Sequence, residues 1–205
     1  MNEKLLLYME TLKKETSDFL KKIDETQLKK ATDLINKAKE RNGRVHITGI
    51  GKPSHVAEYI AALLSSTGTA SYFLDATEAI HGSAGQIQKG DVVISISNSG
   101  QTEELKRTML ALQKLGVNTI GVTGNPDSWL AKNSDVFLFA GVNQEGDDFN
   151  KPPRLSILAE IIVLQSLSIL LQESSQLDMD KYYLWHPGGA LGESIQKSSM
   201  KEATL

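Results

Sequence analysis

The sequence predicts an α/β fold, a doubly wound five-stranded parallel sheet preceded by an N-terminal helical extension. Three observations carry this. From residue 44 onward, short β-branched runs alternate with amphipathic helical runs, the pattern of a parallel sheet wrapped by helices. The run Val92-Val93-Ile94-Ser95-Ile96 is apolar at nearly every position, as a strand covered on both faces requires. Four of the five expected strands end in glycine or hydroxyl residues, which puts ligand-binding turns at the carboxyl ends of the sheet.

Bulk properties narrow the class. The 205 residues suffice for one large domain with a sizeable core, and 40% hydrophobic residues exclude a disordered chain. A net charge of −3, with acids and bases interspersed, argues against nucleic acid as the partner. With no cysteine, neither disulfide nor thiolate chemistry enters. The apolar run at Leu5-Leu6-Leu7 is too short for a signal peptide. The stretch from 155 to 171 is apolar but short for a membrane span, and it contains Glu160 and Gln165. It reads as a helix buried all round, so the expectation is a cytoplasmic protein without a membrane role.

The elements follow in order. Leu5, Met9, Leu12, Thr16, Phe19 and Ile23 recur at 4–3 spacing, an amphipathic helix with a narrow apolar seam. Leu28, Ala31, Ile35 and Ala38 mark one face of a second helix, stopped at Asn42-Gly43. These two helices form the extension, residues 1–42. The α/β core is expected over 43–175 and a C-terminal segment over 176–205, together one domain. The first strand is Arg44–Thr48. Pro53 suits the first position of the next helix, which runs to about Ser66 with Val56, Ile60 and Leu63 or Leu64 inward. Ala70–Leu74 is a strand and Asp75–Ile80 a short helix. The strand from Asp91 and a helix over Glu103–Leu115 flank a hydroxyl-rich turn. Asn118–Thr123 is a strand, and a short helix begins near Asp127. Asp135–Phe139 is the last strand, Gly141–Pro153 an irregular loop, and the long apolar helix follows.

The organising stretch is Asp91–Thr102, DVVISISNSGQT. Ser97, Asn98, Ser99, Gly100 and Thr102 place several hydroxyls and free backbone N–H groups at a helix N-terminus, a setting for a phosphate. A single N-cap would need one such residue. The first loop, Gly49 to Ser54, half-matches two nucleotide motifs and completes neither: Ser54 stands where a dinucleotide fingerprint has its third glycine, and Pro53 where a P-loop has its hydroxyl. What remains is a glycine turn at Gly51 and a lysine, Lys52, facing the same cleft. Glu104 lies in the first turn of the helix after the serine turn. Glu145 lies on the loop after the last strand, where Asp147 and Asp148 compete with it. Of the four histidines, His46 is within a strand and reads as structural, and His55 carries no functional assignment. His81 and His186 precede glycine or Pro-Gly in loops, where an imidazole can be held at a cleft. No pair has metal-ligand spacing, so no metal is expected.

These residues sit in segments that resemble the sugar isomerase (SIS) family, and within it the bacterial arabinose 5-phosphate isomerases. The matching segments are GIGKPSHVAEYIAALLSSTGT, EAIHGSAGQI, DVVISISNSGQTEEL, GVTGNPDSWLAKNSDV and HPGGALG, spread over about residues 40 to 195. The resemblance implies a flavodoxin-like strand order and reversible aldose–ketose isomerisation of a sugar phosphate through an enediol. Lys52, Glu104, Glu145 and His186 stand where the family has its proposed catalytic groups. His81 matches an active-site histidine supplied by a neighbouring subunit, and Ser97, Ser99 and Thr102 match phosphate-binding hydroxyls.

The residue types suit that chemistry. A carboxylate moves the proton between C1 and C2, and Glu145 is expected to be that base. Lys52 and an imidazole can receive the developing oxyanion, and His186 or His81 can open the ring. No redox cofactor is required. Three features depart from the family: Pro53 follows the lysine in place of serine, the long helix starts Pro152-Pro153-Arg154-Leu155-Ser156 in place of a Thr/Ser-rich stretch, and the usual pair of regulatory CBS domains is not expected, the sequence ending soon after HPGGALG. The second class weighed is a sugar-phosphate sensor, which needs the serine turn but not the acid–base set. A nucleotide-binding oxidoreductase fits poorly given Ser54. The N-terminal seam and the apolar 155–171 helix predict a homodimer or homotetramer.

Overall fold

The structure is a computed structural model and describes residues 2–189. Residues 190–205, which include the end of HPGGALG and most of the C-terminal segment, lie outside the described residues. Two helices lead, α1 (Glu3–Leu20) and α2 (Glu25–Lys39), capped by the side chains of Asn2 and Asp24. The core then alternates β1 (Val45–Gly49), α3 (Lys52–Ser66), β2 (Ser71–Phe73), α4 (Ala76–Ala79), β3 (Val92–Ile96), α5 (Glu103–Gln113), β4 (Asn118–Thr123), α6 (Trp129–Lys132) and β5 (Val136–Phe139). A 3-10 turn, Ser83–Gln86, lies between α4 and β3. The helix α7 (Leu155–Ser174) follows the long loop, and α8 (Met179–Trp185) comes last.

All five strands are parallel, in the order β2-β1-β3-β4-β5. β1 and β3 are buried at every residue, as strands covered on both faces must be. One face of the sheet packs Val45, Ile47, Ile94, Ile96, Ile120 and Val122 against α2, α3 and α7. The other packs Val93 with Leu105, Met109, Leu112 and Leu130 under α4, α5 and α6. At about 25 cal/mol per Å² of apolar area removed from water, these two layers dominate the stability of the fold.

The helical extension divides its apolar seam. Phe19 reaches the core and rests 6.4 Å from Phe139, centroid to centroid, while Leu5 and Met9 stay exposed. The expectation that the 155–171 helix is buried all round needs correction. Leu155, Ala159, Val163, Leu164, Leu167 and Leu171 are buried, yet Ile169 is 63% exposed, because α7 packs on α1, α2 and α3 along one side only. Boundaries moved slightly elsewhere: the helix expected over 75–80 is one turn, Ala76–Ala79, with Asp75 as its cap.

Candidate active site

In a sheet of this order the chain reverses direction between β1 and β3, and the crevice outside their carboxyl ends is the natural ligand site. Gly49 and Ile96 are register partners at those ends. The two turns singled out in the sequence therefore lie side by side.

The turn after β1 is held open by Gly51, which has φ 70° and no neighbouring atom within 4 Å of where a side chain would begin. Gly49 is packed directly onto Pro53, which draws the start of α3 close to the strand. Gly51 precedes α3 and supplies no side-chain cap, so the first amides of α3 have no capping side chain. Lys52 opens the helix, exposed, with no ion pair among the described residues.

The turn after β3 is built from its own hydroxyls. Ser97 is buried; its Oγ accepts the Gly100 amide hydrogen at 3.1 Å and lies 3.0 Å from Thr102 Oγ1. Ser99 and Asn98 are exposed, and Ser99 Oγ accepts from the Gln101 amide at 3.2 Å. Gly100 has φ 62°, and a side chain there would run into Ser128 and Thr123. Thr102 is the N-cap residue of α5 but makes no side-chain cap bond, so the amides of that helix start, together with the hydroxyls, are available to an anion. Glu104 is exposed in the first turn of α5 and makes no ion pair among the described residues, whereas Glu103 lies near Lys106 and Arg107.

Glu145 departs from the simple picture of a loop acid. It is only 8% exposed, and its Oε2 accepts the backbone amides of Arg154, Leu155 and Ser156 at 2.6, 2.7 and 3.2 Å. It is the anionic cap of α7, a helix whose N-cap residue Arg154 makes no side-chain cap bond. Its other oxygen makes no hydrogen bond among the described residues. The loop is braced on both sides: Asn150 Oδ1 accepts the Glu145 amide at 2.6 Å, and the Asn143 amide donates to Glu15 of α1 at 2.8 Å. The competing acids are accounted for otherwise. Asp147 pairs with the Arg154 guanidinium at 2.7 Å, which holds its carboxyl below the usual range, and Asp148 pairs with Lys4. Arg154 is thus committed to the loop.

Within one chain the structure sets His186 apart from Lys52. His81 is exposed in the turn after α4. His186 follows α8, stacked on Tyr182 at 4.0 Å with Nδ1 3.0 Å from the Tyr182 carbonyl oxygen. The adjacent Trp185 packs over Gly68, beyond the C-terminus of α3, whereas Lys52 stands at its N-terminus. A helix of 15 residues spans about 22 Å, so His186 lies at the far end of α3 from Lys52.

Sequence reasoning missed one group. Glu160 on α7 is fully enclosed, and neither of its oxygens has a hydrogen-bond partner among the described residues. Burial, reinforced by the charge of Glu145, pushes its carboxyl up to about 8. The signal was an acid inside an otherwise apolar helix. Among the described residues, no group of three or more His, Asp or Glu side chains has the arrangement to hold a metal ion.

Comparison with known proteins agrees with this geometry. A family model of the SIS domain matches residues 29–170. The arabinose 5-phosphate isomerase KdsD of Pseudomonas aeruginosa is 42% identical over 166 residues, 81% of this chain and 50% of that protein. KdsD of Francisella tularensis is 36% identical over 181 residues, 88% of this chain and 55% of that protein. The chain thus spans about half the length of the curated relatives it matches. Among solved structures, E. coli CFT073 c3406 in complex with arabinose 5-phosphate superposes with a TM-score of 0.82 at 30% identity, covering 91% of this chain and all (100%) of that one. The Vibrio vulnificus NanR protein complexed with ManNAc-6P shares the fold, with a TM-score of 0.71 at 20% identity, covering 94% of this chain and 66% of that one.

Proposed function

The chain belongs to the SIS domain family, and from that premise we propose that it is a sugar-phosphate aldose–ketose isomerase, with D-arabinose 5-phosphate and D-ribulose 5-phosphate as the leading substrate pair. The observation that carries this is the joining of the Gly51-Lys52 turn and the Ser97–Thr102 turn at the β1/β3 crevice. The serine turn receives the phosphate through Ser97, Ser99 and Thr102, the flanking Asn98 and Gly100, and free amides. Lys52 stabilises the enediolate oxygen, and Glu104 and Glu145 are the acid–base carboxylates, Glu145 with its uncommitted oxygen. The relatives named KdsD and the neighbour complexed with arabinose 5-phosphate support the substrate pair.

The same reading makes the enzyme a homodimer or homotetramer whose active sites are shared. His186, held at the far end of α3, and the exposed His81 complete the cleft of another copy. The unit is one SIS domain over residues 1–205, placed in the cytoplasm and needing no cofactor.

The test is isomerisation in D2O with a panel of pentose and hexose phosphates, followed by NMR at C1 and C2, with Glu145→Gln alongside. Exchange at C1 or C2 of one sugar, lost in the variant, is the expected result. Binding of a sugar phosphate without turnover of any would replace this reading with a sensor.

A further inference from the structure

Two carboxyls from different elements lie toward the N-terminal end of α7. Glu145 reaches it from the loop and takes the amides of Arg154, Leu155 and Ser156. Glu160 belongs to the helix itself, one turn beyond Ser156 on the same face. Glu160 and Ser156 are both 0% exposed, and the Glu160 oxygens and Ser156 Oγ are without partners among the described residues. A carboxylate stripped of both water and donors is costly, and such a group keeps its proton instead.

Among the described residues the surroundings offer no cation to change that. α3 turns Val56, Ile60 and Leu64 inward and leaves Lys52, His55 and Glu58 exposed. α2 turns in Leu28, Ala31 and Ile35, and its half-buried Lys39 reaches Thr69. From α1 the buried acid is Glu15, bonded to Asn143, and on the loop Arg154 is paired with Asp147. Among the described residues Glu145 is the charged group that acts on Glu160.

We propose that Glu160 is a positioning residue for Glu145: the two carboxyls hold one proton and one negative charge between them, the charge on Glu145 where three amides receive it and the proton on Glu160. This rests on the isomerase reading, in which Glu145 is a catalytic carboxylate. Separated environments of this kind assign different roles to neighbouring acids. Ionising Glu160 sets a second charge beside the first, drives Glu145 off the α7 amides and takes the activity with it.

Glu160→Gln keeps the shape and cannot ionise. The pH profile of kcat for arabinose 5-phosphate isomerisation is measured for both proteins. In the native enzyme kcat falls about tenfold per pH unit above about 8, and in the variant that limb is missing. Superimposable alkaline limbs overturn the proposal. If Glu160→Gln does not fold, Glu160→Leu serves the same comparison. If neither protein turns over any sugar phosphate, the isomerase reading fails, and the pair is decided by the 13C resonance of the Glu145 carboxyl. A step in that resonance near pH 8, absent in the variant, supports the coupling; no step overturns it.

Discussion

Glu145 Oε2 accepts the backbone amide hydrogen of Leu155 at 2.7 Å, and this contact ties the loop after β5 to the longest helix of the molecule. The same oxygen takes the amides on either side of Leu155, so one carboxylate caps a helix whose own first residues provide no cap. Position and proposed chemistry meet in this residue.

Two substitutions separate its roles. Glu145→Ala leaves buried amides at the end of α7 without an acceptor and is expected to destabilise the fold by about 1–3 kcal/mol, seen as a drop of several degrees in Tm. Glu145→Gln retains a carbonyl acceptor and is expected to melt much closer to the native protein while losing isomerase activity by at least about a hundredfold. Equal melting losses in both variants would contradict the capping account.

The Ser97–Thr102 turn, proposed to bind the phosphate, depends on Gly100. Gly100→Ala forces a side chain into Ser128 and Thr123 at φ 62°, and is expected to cost more than about 1 kcal/mol and to weaken inorganic phosphate binding measured by calorimetry. Gly51→Ala, at φ 70° but in open space, should show the backbone cost alone. Similar melting of the two variants would argue against the packing term.

Two buried groups give stability opposite pH trends. His46 lies 3.1 Å from Asp91 Oδ2, and burial holds its pKa below 6.5 although Asp91 pulls it upward. The unfolded chain therefore takes up a proton below about 6.5 that the folded chain resists, and this contribution to stability is lost as pH falls. Glu160 is raised from 4.5 to about 8, so the folded chain retains a proton that the unfolded chain releases; its contribution is complete below about 4.5 and lost as pH rises through about 8. Plots of Tm against pH should flatten on the alkaline side in Glu160→Gln and on the acid side in His46→Gln. Curves parallel to the native one would refute the respective assignment.

The proposed sharing of active sites between copies predicts complementation. Lys52→Ala and His81→Ala are each expected to be inactive. Mixed and re-equilibrated as a dimer, half the molecules combine the two, and each of those has one intact site of two, restoring about a quarter of native activity. The same holds for Lys52→Ala with His186→Ala. No recovery in a demonstrated mixed oligomer would place the histidines outside the shared site.

Much of this architecture was legible from the order of residues. Alternation of β-branched and amphipathic runs depends on local periodicity, and it predicted all five strands and their parallel arrangement. The turns at Gly51 and at Ser97–Thr102 were legible for the same reason: backbone conformation and hydroxyl placement within six residues need no distant partner. What tertiary structure alone decided is where residues far apart in the chain meet. Glu145 became a helix cap because the chain folds α7 back onto it, nine to eleven positions on. Glu160 became a buried acid because one face of α7 closes on α1, α2 and α3, while Ile169 on the other face stays open. His186 was set at the far end of α3 by Trp185 seating on Gly68. Periodicity fixes which face of an element is apolar; burial, and with it proton affinity, depends on what the rest of the chain lays against that face.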